Sequence, residues 1–321
     1  MPSGRVFGVF SLLFLCPACS KPEDSFPAKK QMLQDPSFHC GFIALDPKPG
    51  KKVPYGALPG ISPNERPVWK LAQWASKYPL QPTSAEHSSD GSLRYANESN
   101  AIILGRPGSE KADVTMGVNA SVEYGNRARQ HGESWPHLLA EQRFEDPPVL
   151  KELSSATLHV EAKLLESKRV NVPGYSPSLH AAKFQIYFTV QNLNRSSPGY
   201  RKYLWFGVPV YDDRSRIPRA FAAQDIGKGD ATGMFIYTPA GETFTSRSAH
   251  DRRWITIDKD LLPLMKTALK TAWERGFLKD SQSLGDYSIA SIHMGWEMTG
   301  NLDVAIQVRK LGFVIASSRM P

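Results

Sequence analysis

The stretch Asp286–Phe313, DYSIASIHMGWEMTGNLDVAIQVRKLGF, limits the fold more than any other. Two runs that alternate with a period of two flank Thr299-Gly300-Asn301, which predicts two β-strands joined as a hairpin. In the first run Ala290, Ile292, Met294 and Trp296 share one side, and Ser291, His293, Gly295 and Glu297 share the other. In the second, Leu302, Val304, Ile306 and Val308 form the apolar side. Each strand therefore has a core face and a polar face, and the polar face of the first sets a carboxylate beside a histidine.

The same alternation recurs upstream. Ala101–Leu104 reads as a short strand, Asp113–Tyr124 as a longer one, and Trp135–Phe144 and Ser155–Leu165 as two more. The strongest pair is central. Ala182–Asn192 places Phe184, Ile186, Phe188 and Val190 on its apolar side, and Tyr203–Asp213 places Leu204, Phe206, Val208 and Val210 there. Their other sides carry Lys183, Gln185, Tyr187, Thr189 and Gln191, and Tyr203, Trp205, Gly207, Pro209 and Tyr211. Pro209 lacks an amide hydrogen, so an edge or a bulge is expected there. Shorter strands are expected at 233–238 and 243–245, a short helix at Pro67–Trp74 with a strand as the alternative, and a polar loop at Ser84–Asn100.

One helix is predicted with its ends. Asp260 caps the start, Leu261, Leu262, Met265, Ala268, Leu269, Ala272 and Trp273 form an apolar stripe, and Gly276 ends it. About ten strands with a single helix exclude a doubly wound α/β fold and predict an all-β sandwich or jelly roll.

At the N-terminus Arg5 precedes the apolar run Val6–Leu15, which is too short to span a bilayer but suits a signal peptide. Ala18 before Cys19-Ser20 matches a bacterial lipoprotein cleavage site, although Cys16 stands where leucine is usual. The expectation is export, with cleavage before Cys19 and lipid attachment there; ordinary cleavage near Ala18 is the alternative. The organisation that follows is a signal peptide at 1–18, a Pro-rich linker or wrapping segment at 19–66, and a β-sandwich domain at 67–321. Of three cysteines only Cys40 lies clear of the signal, so no disulfide framework is expected.

The 321 residues carry a formal net charge of +8, but the basic residues are scattered and no nucleic-acid motif is present. No metal-helix, nucleophile-elbow or phosphate-loop signature occurs, and Asp212-Asp213 alone falls far short of a calcium site. No cofactor is expected. Gly227-Lys228-Gly229-Asp230 reads as a plain loop.

The polar faces remain. If they share a sheet, they gather His137, Glu141, Gln185, Tyr187, Gln191, Tyr203, Trp205, His293 and Glu297. Aromatic rings stack on sugar faces, amides and carboxylates bond hydroxyls, and two carboxylates are what glycoside hydrolysis needs. A half-exposed antiparallel sheet also shows polar alternation without any site. The excess of Tyr, Trp, Gln and His over Lys, Glu and Thr favours a site.

Strands, then an amphipathic helix, then a strand ending Gly295-Trp296-Glu297, a turn and a last strand resemble the family-12 glycoside hydrolases over roughly Val114–Phe313. The resemblance implies a concanavalin-A-like jelly roll with a concave glycan cleft, and Glu297 in the place of the general acid/base. The family's nucleophile would begin the strand that here reads Tyr203-Leu204-Trp205-Phe206, where no carboxylate stands. Catalysis is then lost, or Glu141 takes the partner's role. Three functions follow: carbohydrate binding on the polar sheet face; glycoside hydrolysis with Glu297 as acid/base and Glu141 as partner; and a structural envelope lipoprotein with no small ligand.

Overall fold

The computed structural model describes residues 29–318 except 63, 83, 84, 110 and 111, together with Gly4. The expected signal peptide and Cys19 lie outside the described residues. Among the described residues the first four strands are β1 (Lys29–Gln31), β2 (Gly41–Leu45), β3 (Pro54–Pro59) and β4 (Trp69–Ala72). Next come β5 (Glu86–His87), β6 (Leu93–Ala96), β7 (Asn100–Leu104), β8 (Val114–Asn119), the short helix α1 (Ala120–Tyr124) and β9 (His137–Arg143). The centre holds β10 (Leu153–Arg169), β11 (Ala182–Asn192), β12 (Tyr203–Asp212), β13 (Phe221–Gln224) and β14 (Phe235–Thr238). The chain closes with β15 (Ile255–Asp260), α2 (Leu262–Glu274), β16 (Tyr287–Met298) and β17 (Leu302–Ser317).

The strands form two sheets. One runs β15-β10-β17-β8-β7-β6-β5, with β1 also paired to β17. The other runs β13-β14-β12-β11-β16-β9-β4-β2-β3. The architecture is all-β, a jelly-roll sandwich in which β14, β15, β16 and β17 switch layer at each step and one amphipathic helix precedes the last two. The expected apolar faces meet between the layers. Phe184, Ile186, Phe188 and Val190 of β11, Leu204, Phe206 and Val208 of β12, and Ile292, Met294 and Trp296 of β16 are wholly buried. They pack against Leu158, Val160, Val304, Ile306 and Val308 of the opposite sheet. Trp296 crosses the gap and donates its Nε1–H to the Met116 carbonyl, at 2.9 Å.

The predicted hairpin is corrected. β16 pairs with β11 and β9, while β17 pairs with β10 and β8 in the other sheet. Residues 299–301 therefore form an arch between layers. Two strands of matched alternation can hydrogen-bond side by side or face each other across a core, and the pattern is the same in both cases. The arch is tied down on all sides. Thr299 donates its amide to the Ala181 carbonyl, Val170 donates to Asn301, and the Asn301 amide group donates to the Gly125 and Arg127 carbonyls.

Other expectations shift for local reasons. Trp69–Ala72 is a strand, parallel to β2 and antiparallel to β9, and Trp69, Leu71 and Ala72 are wholly buried in it. Ser84–Asn100 contains β5 and β6. The strand expected over 113–124 ends at Asn119, where α1 begins, and Val122 is exposed. Residues 241–243 form a 3-10 turn where a strand was expected at 243–245. Residues 29–59 do not stand apart from the sandwich. They supply β1, β2 and β3, and bury Phe38, Phe42 and Leu58 fully in the core. Asp260 accepts from the first helical amide, Leu262, while Leu261 itself occupies the N-cap.

The bulge expected at Pro209 is present, in an interior strand. The register steps from Phe184↔Tyr211 to Gln185↔Pro209, which leaves Val210 as the extra residue. Tyr211 is thereby turned into the core against Trp296, rather than out beside Tyr203 and Trp205.

Candidate functional site

The outer face of the nine-stranded sheet carries a cleft of about 1020 Å³. Strand register decides what shares it. Across β9, β16 and β11 one row reads His137, Glu297, Lys183, and a second reads Glu141, His293, Tyr187. Trp205 pairs with Thr189 and Tyr203 with Gln191 along β12. Six of the seven expected site residues besides Glu297 and Glu141 share the cleft: His137, Gln185, Tyr187, Tyr203, Trp205 and His293 line it with Glu297. Gln191 does not; its amide is spent on the Arg201 carbonyl.

Glu141 is the main correction. It is 5% exposed, its Oε2 accepts from Lys52 Nζ at 3.1 Å, and its Oε1 lies 3.8 Å from His293 Nδ1. It sits four residues along β9 from His137, the register partner of Glu297. At about 3.3 Å per residue the rows of Glu141 and Glu297 are about 13 Å apart, beyond the roughly 5–10 Å of a glycosidase pair. Sequence alternation put both carboxylates on one face correctly but carried no information on the antiparallel register that separates them.

The antiparallel pairing instead crosses two His-x-x-x-Glu runs. His137–Glu141 on β9 and His293–Glu297 on β16 place each histidine beside the other strand's glutamate. Glu297 Oε1 lies 3.6 Å from His137 Nε2. Burial acts to raise the Glu297 carboxyl, but the His137 imidazole and the Lys183 and Lys228 ammonium groups overcome it and hold the carboxyl down at about 2. A general acid requires the opposite shift. His293 is pushed down to about 4, first by burial and further by Lys52, against the pull of Glu141 and Glu297. It is neutral at neutral pH.

An aromatic group occupies the other end of the cleft. Trp205 is half-buried, with Tyr203 at 4.9 Å between ring centroids, His293 at 4.8 Å and Tyr187 at 6.4 Å. Burial raises the phenols of Tyr187 and Tyr203, so both remain hydroxyl donors. Gly207 makes room for this group. A Cβ there would lie 2.4 Å from Thr238 Oγ1 and 2.9 Å from the Tyr187 ring.

Sequence reading missed the walls. The loop between β13 and β14, which contains Gly227-Lys228-Gly229-Asp230, crosses the cleft. At one end Thr232 Oγ1 accepts from Trp205 Nε1 at 3.4 Å. At the other, Lys228 bridges to Gly132, Ser134 donates to Asp230, and the Lys228 ammonium lies 4.2 Å from the centre of the Trp135 ring. Trp74 and Trp135 flank His137, with ring centroids 6.0 and 5.9 Å from it. None of these lies on a regular alternating strand, so periodicity could not have found them. Asp212 is held by Arg214 at 2.7 Å and Asp213 by Arg169 at 3.1 Å.

No family model matches the chain, and no curated protein matches it. Solved structures similar to it include a family 12 xyloglucanase from Bacillus licheniformis, 8% identical with a TM-score of 0.40, which covers 74% of this chain and 98% of its own. An endoglucanase from Rhodothermus marinus and a family 11 xylanase from Neocallimastix patriciarum are each 10% identical with TM-scores of 0.38, again covering 74% of this chain and 98% of theirs. The likeness is distant and transfers no residue roles.

Proposed function

We infer that the chain binds carbohydrate in the cleft of its nine-stranded sheet. The observation that carries this reading is Trp205. Its ring stands half-buried on the cleft face, framed by Tyr203 and Tyr187, where an apolar sugar face can stack and two phenols can bond hydroxyls. Hydrolysis fits less well. Glu297 is ionised, β12 begins without a carboxylate, and Glu141 lies under Lys52 outside the cleft. Binding to a polysaccharide panel, with reducing-sugar release measured in parallel for wild type and Glu297→Gln, tests the reading. Binding without release is the expected result. Release that disappears in Glu297→Gln would favour hydrolysis, and no binding to any glycan would favour a structural role.

Export and membrane tethering through Cys19 belong to the same reading, on the strength of Arg5, the apolar run and Ala18-Cys19-Ser20. Mass spectrometry of the mature N-terminus is expected to show a lipidated Cys19. An intact Met1, or an unmodified Cys19, would contradict it.

A further inference from the structure

The charges lining the cleft are unequal in kind as well as number. Six lysines and arginines face four carboxylates. Each carboxylate is already engaged: Asp212 by Arg214, Asp230 by Lys228 at 3.2 Å, Asp225 by the amide and hydroxyl of Thr232, and Glu297 by His137. Several cations are not matched in this way. Arg129 is 3% exposed, yet its guanidinium donates only to the carbonyls of Gln130, Glu133 and Leu179, and its Nε has no hydrogen-bond partner among the described residues. The nearby Glu133 carboxylate is bonded to Arg127 and acts on Arg129 only at longer range, and a buried cation with no directly bonded carboxylate is costly to keep. The Arg129 guanidinium lies 5.1 Å from the centre of the Trp135 ring, which also stacks on His137 and carries the Lys228 ammonium. The Trp135 Nε1–H is likewise buried without a partner. Lys183 stands beside Glu297 in register, with its ammonium 5.6 Å from the Phe221 ring and no ion pair among the described residues.

We propose that the cleft selects an anionic polysaccharide, one whose sugars bear carboxylate or sulfate groups, over a neutral glucan. This rests on the carbohydrate-binding reading. The aromatic end, at Trp205 and Tyr203, stacks the sugar ring. The basic end, at Arg129, Lys183 and Lys228, receives the acidic substituent, which supplies Arg129 with the direct anionic partner it lacks. The cations stand on three separate segments: the loop before β9, strand β11 and the cleft-crossing loop. All three line the one cleft, so an anion bound there faces cations from three segments.

Calorimetric titration with polygalacturonate, dextran sulfate, neutral xyloglucan and single-stranded DNA tests this. Affinity for at least one acidic polysaccharide is expected to exceed that for xyloglucan by about tenfold at low salt, and the gap should narrow as salt rises. The carboxylate and sulfate arms identify which group is taken. Lys183→Gln and Lys228→Gln should each weaken acidic binding by up to about fivefold and xyloglucan binding by less, and Lys270→Gln on α2 should alter neither. Melting temperatures recorded alongside separate lost charge from lost fold. Equal affinity for neutral and acidic chains would overturn the proposal and leave carbohydrate binding standing. DNA bound as tightly as the acidic glycans, or an equal loss in Lys270→Gln, would reduce the effect to net charge and overturn it too. No binding to any glycan would remove both the proposal and the reading beneath it.

Discussion

Trp296 and Trp205 belong to the same sheet, two strands apart, and point to opposite sides of it. Trp296 is wholly buried between the layers, with Phe184 at 5.1 Å and its Nε1–H on the Met116 carbonyl of the facing sheet. Trp205 faces the cleft, with Tyr203 at 4.9 Å and its Nε1–H toward Thr232 on a loop. Both rings sit among aromatics and both have a polar partner. Strand phase alone separates them: one joins the two sheets, and the other is left half-open toward solvent. The difference shows that in this chain aromatic content carries no functional message until the phase of its strand is known.

The largest effect is expected on the core side. Trp296→Ala removes a filled, hydrogen-bonded ring between the layers and should cost about 3–5 kcal/mol of stability, measurable by denaturant unfolding. A loss under about 1 kcal/mol would mean that the ring is not a core element. Gly295 sits between the two environments. A Cβ there would lie 1.9 Å from the Leu138 carbonyl oxygen, so Gly295→Ala must push β16 away from β9. About 1–3 kcal/mol of destabilisation is expected, and unchanged melting would show that the strands are not so closely apposed.

Much of this contrast was legible in the sequence. The inward sets of β11, β12 and β16 follow from alternation, and so does the placing of Tyr187, Trp205, His293 and Glu297 together on the outer face. Three things were not legible. The partner of β17 depends on whether two alternating strands pair or stack, and both leave the same pattern. The distance from Glu141 to Glu297 depends on interstrand register, which no single strand encodes. The crossing loop at 225–233 and the Trp135 segment meet only through tertiary contacts between irregular stretches. Tyr211 is instructive because the bulge was signalled by Pro209, yet the change of phase that follows from it sends the tyrosine into the core.

The crossed histidine–glutamate pairs give a smaller effect, seen as a pH profile. His293 falls from its ordinary 6.5 to about 4 on folding, because burial disfavours its cation. The unfolded chain therefore binds this proton more readily, and stability drops as pH falls from about 6.5 through 4. Glu297 falls from 4.5 to about 2, so its contribution is complete above 4.5 and is lost as pH falls toward 2. Both groups act in the same direction in adjoining windows. His293→Gln should flatten the upper window and Glu297→Gln the lower one in melting temperature recorded against pH. An upper window that persists unchanged in His293→Gln would assign it to another group.

The smallest stability effect and the decisive binding effect are expected at Trp205. Glycan affinity and melting temperature measured together for Trp205→Ala test directly whether the outer face is a binding site. Binding weaker by about tenfold or more, with melting nearly unchanged, is the expected result. Undiminished binding, or a loss of stability near the 3–5 kcal/mol expected for Trp296→Ala, would contradict it.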